Sequence, residues 1–310
     1  MPRALVIGCG FIGSHIVEAL NSRSSPPIVL SRSRPADAIT EQIASADLLV
    51  GDAADGELLE RALEGVDRVI FSAGGLLPAQ SEREPERDEE LTLGPVRAVL
   101  AALRERPGVS LVYLSSGGTV YGEPARVPVE ESAPTTPIGE YGRLHVACEA
   151  ELLAHSRAHG TPVRILRCAT VYGERQMPDR GQGAVVTFLH RIERGQPITV
   201  FGDGKTERDY IYAGDVAAAV VELLGRSDGP AVLNLGSGEG TRLIDLLHLT
   251  EREVGRQALV DRQPEREFEV HRIVLDTARL QELISFAPTS LEAGIARTHD
   301  WLTSDAPERV

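Results

Sequence analysis

Short apolar runs alternate with stretches of helical periodicity from the first residues of the chain onward. Residues 4–7, 28–30, 48–50, 69–71, 111–114 and 163–166 read as buried strands. Residues 12–20, 56–63, 89–103 and 141–158 carry the spacing of amphipathic helices between most of them. Repeated strand-helix winding predicts a parallel, doubly wound sheet with helices on both faces, because parallel neighbours need crossovers of this length. After Tyr172 the texture becomes glycine-rich, with a helix expected at 185–194, a strand at 198–201, a helix at 214–224 and a strand at 232–235. These pieces predict a second, smaller α/β lobe at the C-terminal side. One lobe is expected to take residues 1–172 plus about 209–233, and the other about 173–208 and 234–310. Residues 81–90 are charged at nearly every position and read as a solvated loop, or alternatively a mobile lid.

Composition narrows the function classes. A chain of 310 residues with 42% in the hydrophobic set suffices for a large core or two smaller ones, and 25% charged residues argues against a disordered chain. Asp and Glu outnumber Lys and Arg by 46 to 32, a formal balance of −14, so the average surface repels a polyanion and no nucleic-acid partner is expected. Small phosphorylated ligands stay possible, since backbone amides and local arginines can hold them inside an acidic protein. Three widely spaced cysteines, Cys9, Cys148 and Cys168, fit neither a disulfide framework nor a zinc site, so no metal is expected and the thiols read as small buried residues. No apolar run approaches 18 residues and the N-terminus runs directly into a strand, which reads as a soluble, cytoplasmic protein without a membrane partner.

Gly8-Cys9-Gly10-Phe11-Ile12-Gly13 follows the first strand and opens the first helix, the setting in which this spacing signals dinucleotide binding. Gly8 permits the tight turn, Gly10 lets backbone approach a pyrophosphate, and Gly13 lets helix pack closely on strand. The fold class expected is therefore a Rossmann-type doubly wound parallel sheet with a smaller substrate lobe. The second strand ends in Ser31-Arg32-Ser33-Arg34, with no carboxylate for a ribose 2′-hydroxyl and two arginines that suit a 2′-phosphate. That favours NADP, with NAD as the alternative. Asp52, after the third strand, is a candidate for the adenine edge or for a helix N-cap.

Further motifs stand in order: Ser115-Ser116-Gly117-Gly118-Thr119-Val120-Tyr121-Gly122, Tyr141-Gly142-Arg143-Leu144-His145, Val171-Tyr172-Gly173, and Gly202-Asp203-Gly204 through Arg208-Asp209-Tyr210. With the glycine loop, they make the chain resemble the extended short-chain dehydrogenase/reductase family, in its nucleotide-sugar epimerase/dehydratase group typified by UDP-glucose 4-epimerase. The resemblance implies that Phe11, Ile12 and Ala73 join the cofactor site and that Tyr141 exchanges the proton of a sugar hydroxyl. It also implies that Thr170, Gln176, Gly183, Arg208 and Arg266 contact the substrate, with the two guanidinium groups on its pyrophosphate. A homodimer through the helices at 89–103 and 141–158 is implied as well.

Two positions depart from the family pattern. The lysine expected four residues after the tyrosine is His145, whose imidazole loses the permanent charge at neutral pH unless the Tyr141 phenolate raises its pKa. The catalytic hydroxyl falls on Gly117, leaving Ser116 and Thr119 as surrogates. The expected activity is C4 epimerisation of a nucleotide-diphosphate hexose through a transient 4-keto sugar. The alternatives are an NADPH-dependent 4-ketosugar reductase, and a catalytically impaired cofactor- and sugar-binding protein.

Overall fold

The computed structural model describes residues 3–178, 182–264 and 270–304. In chain order the first lobe holds β1 (Arg3–Ile7), α1 (Phe11–Ser22), β2 (Ile28–Ser31), α2 (Asp37–Thr40), β3 (Asp47–Val50), α3 (Gly56–Ala62), β4 (Val66–Phe71), α4 (Pro78–Ser81), α5 (Pro85–Leu103), β5 (Ser110–Ser116), α6 (Gly117–Val120), α7 (Glu140–His159) and β6 (Val163–Cys168). The remainder holds β7 (Thr170–Tyr172), α8 (Ala184–Glu193), β8 (Pro197–Phe201), β9 (Glu207–Tyr212), α9 (Ala213–Leu223), β10 (Val232–Leu235), β11 (Gly240–Arg242), α10 (Leu243–Val254), β12 (Leu259–Gln263), β13 (Arg272–Ile273), α11 (Ala278–Leu283) and α12 (Leu291–Thr303).

Among the described residues, a parallel sheet in the order β10-β6-β5-β4-β1-β2-β3 forms the centre. Its strands are apolar on both faces because helices cover both. Ala4 and Val6 point into one core with Ile16, Val17 and Val220, whereas Leu5 and Ile7 point into the other with Val96, Leu100 and Leu152. The chain winds outward from β1 through β2 and β3, then crosses back to place β4 on the other side of β1. That reversal opens a crevice at the carboxyl ends of β1 and β4, where the glycine loop lies.

The second lobe is built on β9, which pairs with β7, β11 and β13, and its core gathers Phe188, Leu189, Tyr210, Tyr212 and Leu246. From β9 the chain runs through α9, which packs on α1, and enters the large sheet as β10. Buried Asp209 fixes this crossing, accepting hydrogen bonds from the Ser237 amide at 2.8 Å and hydroxyl at 2.7 Å and from the Leu275 amide at 3.2 Å. No helix among the described residues is long and apolar enough to cross a membrane.

The charged stretch at 81–90 is not a loop. Pro85 opens α5, and Asp88 is buried as the first member of an inward stripe that continues through Thr92, Val96, Val99 and Leu103. Ser81 at the end of α4 is buried too. The charges between and beyond them face solvent, and helical phase separates them from the two buried groups.

A buried polar web ties the large sheet to α7. Arg167 on β6 reaches Glu149 through Nε at 3.1 Å and Nη2 at 2.6 Å, and Ser115 on β5 donates to the same carboxylate at 2.6 Å. Arg167 also donates to the Tyr121 hydroxyl at 2.9 Å, which in turn donates to Asn234 on β10 at 2.6 Å. Replacing one member of a buried ion pair leaves the other charge uncompensated. Glu149→Ala is therefore expected to lower the unfolding free energy by about 3–5 kcal/mol, measured by chemical denaturation. A loss below about 1 kcal/mol, the range of exposed pairs, would show that the pair does not hold the sheet to the helix.

Candidate active site

Each glycine of the loop does a different job. A Cβ on Gly8, at φ +91°, would lie 2.5 Å from the Ala73 backbone, and one on Gly13 would lie 2.1 Å from the Gly8 carbonyl oxygen. Gly10 instead has open space before it. The glycines thus pull α1 down onto β1 and β4 and leave one bare stretch of backbone facing the crevice. The α1 N-terminus has no side-chain cap and no acidic residue in its first turn, so its amides stay available to an anion.

Two cavities meet here. One, of about 570 Å³, is lined by Gly8, Gly10, Ser31, Arg32 and Asp52. The other, of about 1000 Å³, is lined by Ile12, Ser116, Thr119, Tyr141 and His145, and at its far side by Thr170, Gln176, Gly183 and Arg208. Phe11, Ala73 and Gln176 belong to both walls, so the two form one continuous cleft. The structure thus brings every described candidate to this cleft except Gly13, which is packed behind it; Arg266 lies outside the described residues. Asp52 spends one oxygen on the Ala54 amide at 2.8 Å, and the N-cap of α3 is Asp55 instead, accepting from Glu57 and Leu58. Arg32 is exposed and has no ion-pair partner among the described residues.

Burial sets the chemistry at the inner end. Tyr141 and His145 lie one turn apart on α7 with ring centroids at 4.6 Å. Burial lowers the His145 pKa from its ordinary 6.5 to about 4, outweighing the opposing pull of Glu149 and Asp88. Burial, helped by Asp88, pushes Tyr141 up to about 12. Burial thus favours the uncharged form of both rings, and no phenolate stands beside His145 to raise its pKa. The structure also explains Gly117: a Cβ there would stand 2.7 Å from a Leu275 methyl and 2.8 Å from the Arg167 carbonyl oxygen. No side chain fits there, so around Gly117 the hydroxyls on the cleft wall come from Ser116 and Thr119, and the latter donates back to the Ser116 carbonyl at 3.3 Å.

Three groups near the cleft escaped sequence reasoning. Arg175, buried and left-handed at φ +66°, lines the first cavity. Its Nη2 is tied to His15 at 3.1 Å and to Glu18, while Nη1 is buried without a partner. Asp88 accepts from the Leu76 amide at 2.7 Å and the Thr92 hydroxyl at 3.1 Å through one oxygen, and its other oxygen is buried and unpaired. Tyr113, wholly buried on β5, bonds His145 Nδ1 at 3.0 Å.

The parallel sheet and its switch-point glycine loop define a Rossmann-type α/β protein, with a tyrosine-bearing cleft beside the loop. The family model described as the NAD dependent epimerase/dehydratase family matches residues 4–236, and the chain belongs to that family. It is 31% identical over 299 residues to a putative UDP-glucose 4-epimerase of Methanocaldococcus jannaschii, covering 96% of this chain and 97% of the other. It resembles the Thermus thermophilus UDP-glucose 4-epimerase solved with NAD (TM-score 0.89, 31% identity, 98% and 99% covered). The Thermotoga maritima UDP-glucose 4-epimerase solved with UDP-glucose is similar at a TM-score of 0.91, again at 31% identity, with 97% and 98% covered.

Two outcomes test this electrostatic picture. Because the folded pKa of His145 lies below its unfolded value, its contribution to stability is complete above about pH 6.5 and is lost as pH falls toward 4, by up to about 3 kcal/mol. Unfolding free energies of the parent and His145→Gln, measured from pH 7 to pH 4, should diverge in slope across that window. Parallel curves would mean that the imidazole is already solvated. Restoring the family hydroxyl by Gly117→Ser should destabilise by about 1–3 kcal/mol through overpacking and give no gain in turnover. A stable, faster Gly117→Ser protein would contradict the steric account.

Proposed function

We propose that the protein binds a nicotinamide dinucleotide in the smaller cavity and a nucleotide-diphosphate sugar in the larger one, and that it interconverts the configuration at C4 of the sugar through a transient 4-keto form. The observation carrying this reading is the continuity of the cleft from Gly10 to Tyr141 and on to Arg208. The donor set fits the cofactor: bare backbone at Gly10, uncapped α1 amides, and a buried guanidinium nitrogen of Arg175 with no partner among the described residues.

When bound, the nicotinamide supplies the hydride acceptor for the sugar carbon. Tyr141 exchanges the hydroxyl proton, and Ser116 and Thr119 hold the sugar oxygen in line with it. Arg208 sits where it offsets the pyrophosphate charge, and Gln176 and Gly183 shape the floor under the sugar. Arg266 is assigned to the same pyrophosphate by resemblance alone. The cleft, walled by apolar Leu77, Leu114 and Val171, limits water around the reacting carbon. A homodimer through α5 and α7 and a reducing, cytoplasmic setting belong to the same reading; the three cysteines are free and buried.

A second reading, an NADPH-dependent 4-ketosugar reductase, is favoured by Ser31-Arg32 at the end of β2, where an exposed guanidinium faces the cavity and no carboxylate stands. A third, a binding protein with impaired turnover, is favoured by the uncharged His145 and the missing hydroxyl at Gly117. The purified protein should be scanned for a copurifying nicotinamide and then assayed with UDP-, dTDP- and GDP-hexoses. Epimerisation without net cofactor consumption, abolished in Tyr141→Phe, is the expected outcome. Stoichiometric NADPH consumption with a 4-ketosugar would replace it with the reductase, and tight binding without turnover with the third reading. Arg32→Ala should weaken NADPH by about 1.5–3 kcal/mol while sparing NADH. Equal losses in titrations with the two cofactors would remove the case for a 2′-phosphate.

A further inference from the structure

We propose that Tyr113 is a positioning residue for this reaction, its hydroxyl holding the His145 ring with Nδ1 as acceptor so that Nε2–H is the donor presented to the cleft. The inference rests on the proposed function for what that donor meets, a ribose hydroxyl of a dinucleotide. It rests on the chain alone for the tautomer.

Tyr113 is 1% exposed, with its ring 5.8 Å from Phe71 and 6.0 Å from His145. Its hydroxyl oxygen stands 3.0 Å from His145 Nδ1. Burial raises its pKa far above the ordinary tyrosine value, so it remains a phenol with one proton to give. The candidates to receive that proton are the imidazole nitrogen and the nearby Cys148 thiol, and sulfur is much the weaker acceptor. With the phenol donating to Nδ1, the proton of the uncharged ring must sit on Nε2. That nitrogen has no partner within the protein among the described residues, and the ring lines the cleft beside Tyr141.

The surroundings keep the arrangement uncharged. Glu149, one turn along α7, faces His145 but is neutralised by Arg167 from β6. Asp88 from α5 is the other acidic neighbour, and Tyr141 and Tyr113 complete the shell as phenols. A fixed N–H donor therefore stands where the family places an ammonium. It offers one direction and no charge, whereas lysine offers three donors and a charge. A strand tyrosine that orients the ring removes the ambiguity between two tautomers, of which only one presents a proton to a hydroxyl oxygen.

The test uses histidine labelled with nitrogen-15 in the full-length protein, with the His145 signals assigned by their loss in His145→Gln. At pH 7.5 the parent should show a protonated Nε2 and a bare Nδ1, a measurement that needs no Tyr113 variant. Tyr113→Phe should shift protonation toward Nδ1 and weaken dinucleotide binding about 3- to 10-fold. In the His145→Lys background, the same Tyr113→Phe change should alter dinucleotide affinity less than twofold, because lysine has no tautomer to fix. A parent ring protonated on Nδ1 would overturn the proposal. So would an equal loss of affinity from Tyr113→Phe in both backgrounds, which marks a packing role only. A parent that binds neither NAD nor NADP would overturn the cofactor reading, and the nitrogen resonances would still decide the tautomer.

Discussion

The buried pair between Arg167 and Glu149 is the constraint on which the rest of the site depends. Arg167 lies on β6 with its side chain 8% exposed, and Glu149 on α7 with 4%. Two charges removed this far from water persist only when each is paired and further hydrogen-bonded, and both conditions hold. The guanidinium satisfies Glu149 through two nitrogens and passes on to Tyr121, above whose ring its carbon also stands at 4.8 Å. Ser115 completes the carboxylate. The web therefore fixes the end of β5, the end of α6 and the rotation of α7 at one point. Tyr141, His145 and Glu149 are spaced by four residues along α7, so rotation set at Glu149 sets the two rings that face the cleft. The same strand β6 denies Gly117 a side chain by the position of the Arg167 carbonyl. One residue thus orients the tyrosine helix and empties the position where the family carries its hydroxyl.

What could be read in the sequence was local. The glycine loop is legible because its three glycines fall within six residues at one strand-helix turn, although the Ala73 backbone that crowds Gly8 comes from beyond β4. The parallel strands are legible because burial on both faces gives most of them short apolar runs, such as Leu5 to Ile7 and Val69 to Phe71. The second lobe was less so: β7, β11 and β13 are two or three residues long, too short for any period to emerge, and their pairing on β9 is set by the chain's return path.

The groups that escaped depend on tertiary geometry. Asp88 hides in a run where Glu86, Arg87, Glu89 and Glu90 are all exposed, and its local composition says solvent. Only the helical phase, carried back from Leu103 through Val99, Val96 and Thr92, turns it inward. Arg175 takes a left-handed conformation that sequence gives no reason to expect in arginine, and its partners stand on α1, about 160 residues earlier. Tyr113 and His145 are separated by 32 positions and belong to a strand and a helix that meet only because the sheet is wound as it is.

These hidden groups change the character of the site more than the visible ones do. A lysine beside a buried tyrosine lowers the cost of the phenolate, whereas this cleft does the opposite. Desolvation, the Asp88 carboxylate and an uncharged His145 all favour the protonated phenol. One oxygen of Asp88 is buried without a hydrogen-bond partner among the described residues. A tyrosine that keeps its proton is ready to donate one. For it to accept one, a positive charge must arrive that the described residues around it do not provide, because Arg167 is already committed to Glu149 and Arg175 to α1. The chain's own electrostatics therefore make proton donation by Tyr141 the intrinsic state of the site and leave proton abstraction dependent on the charge of whatever occupies the cleft.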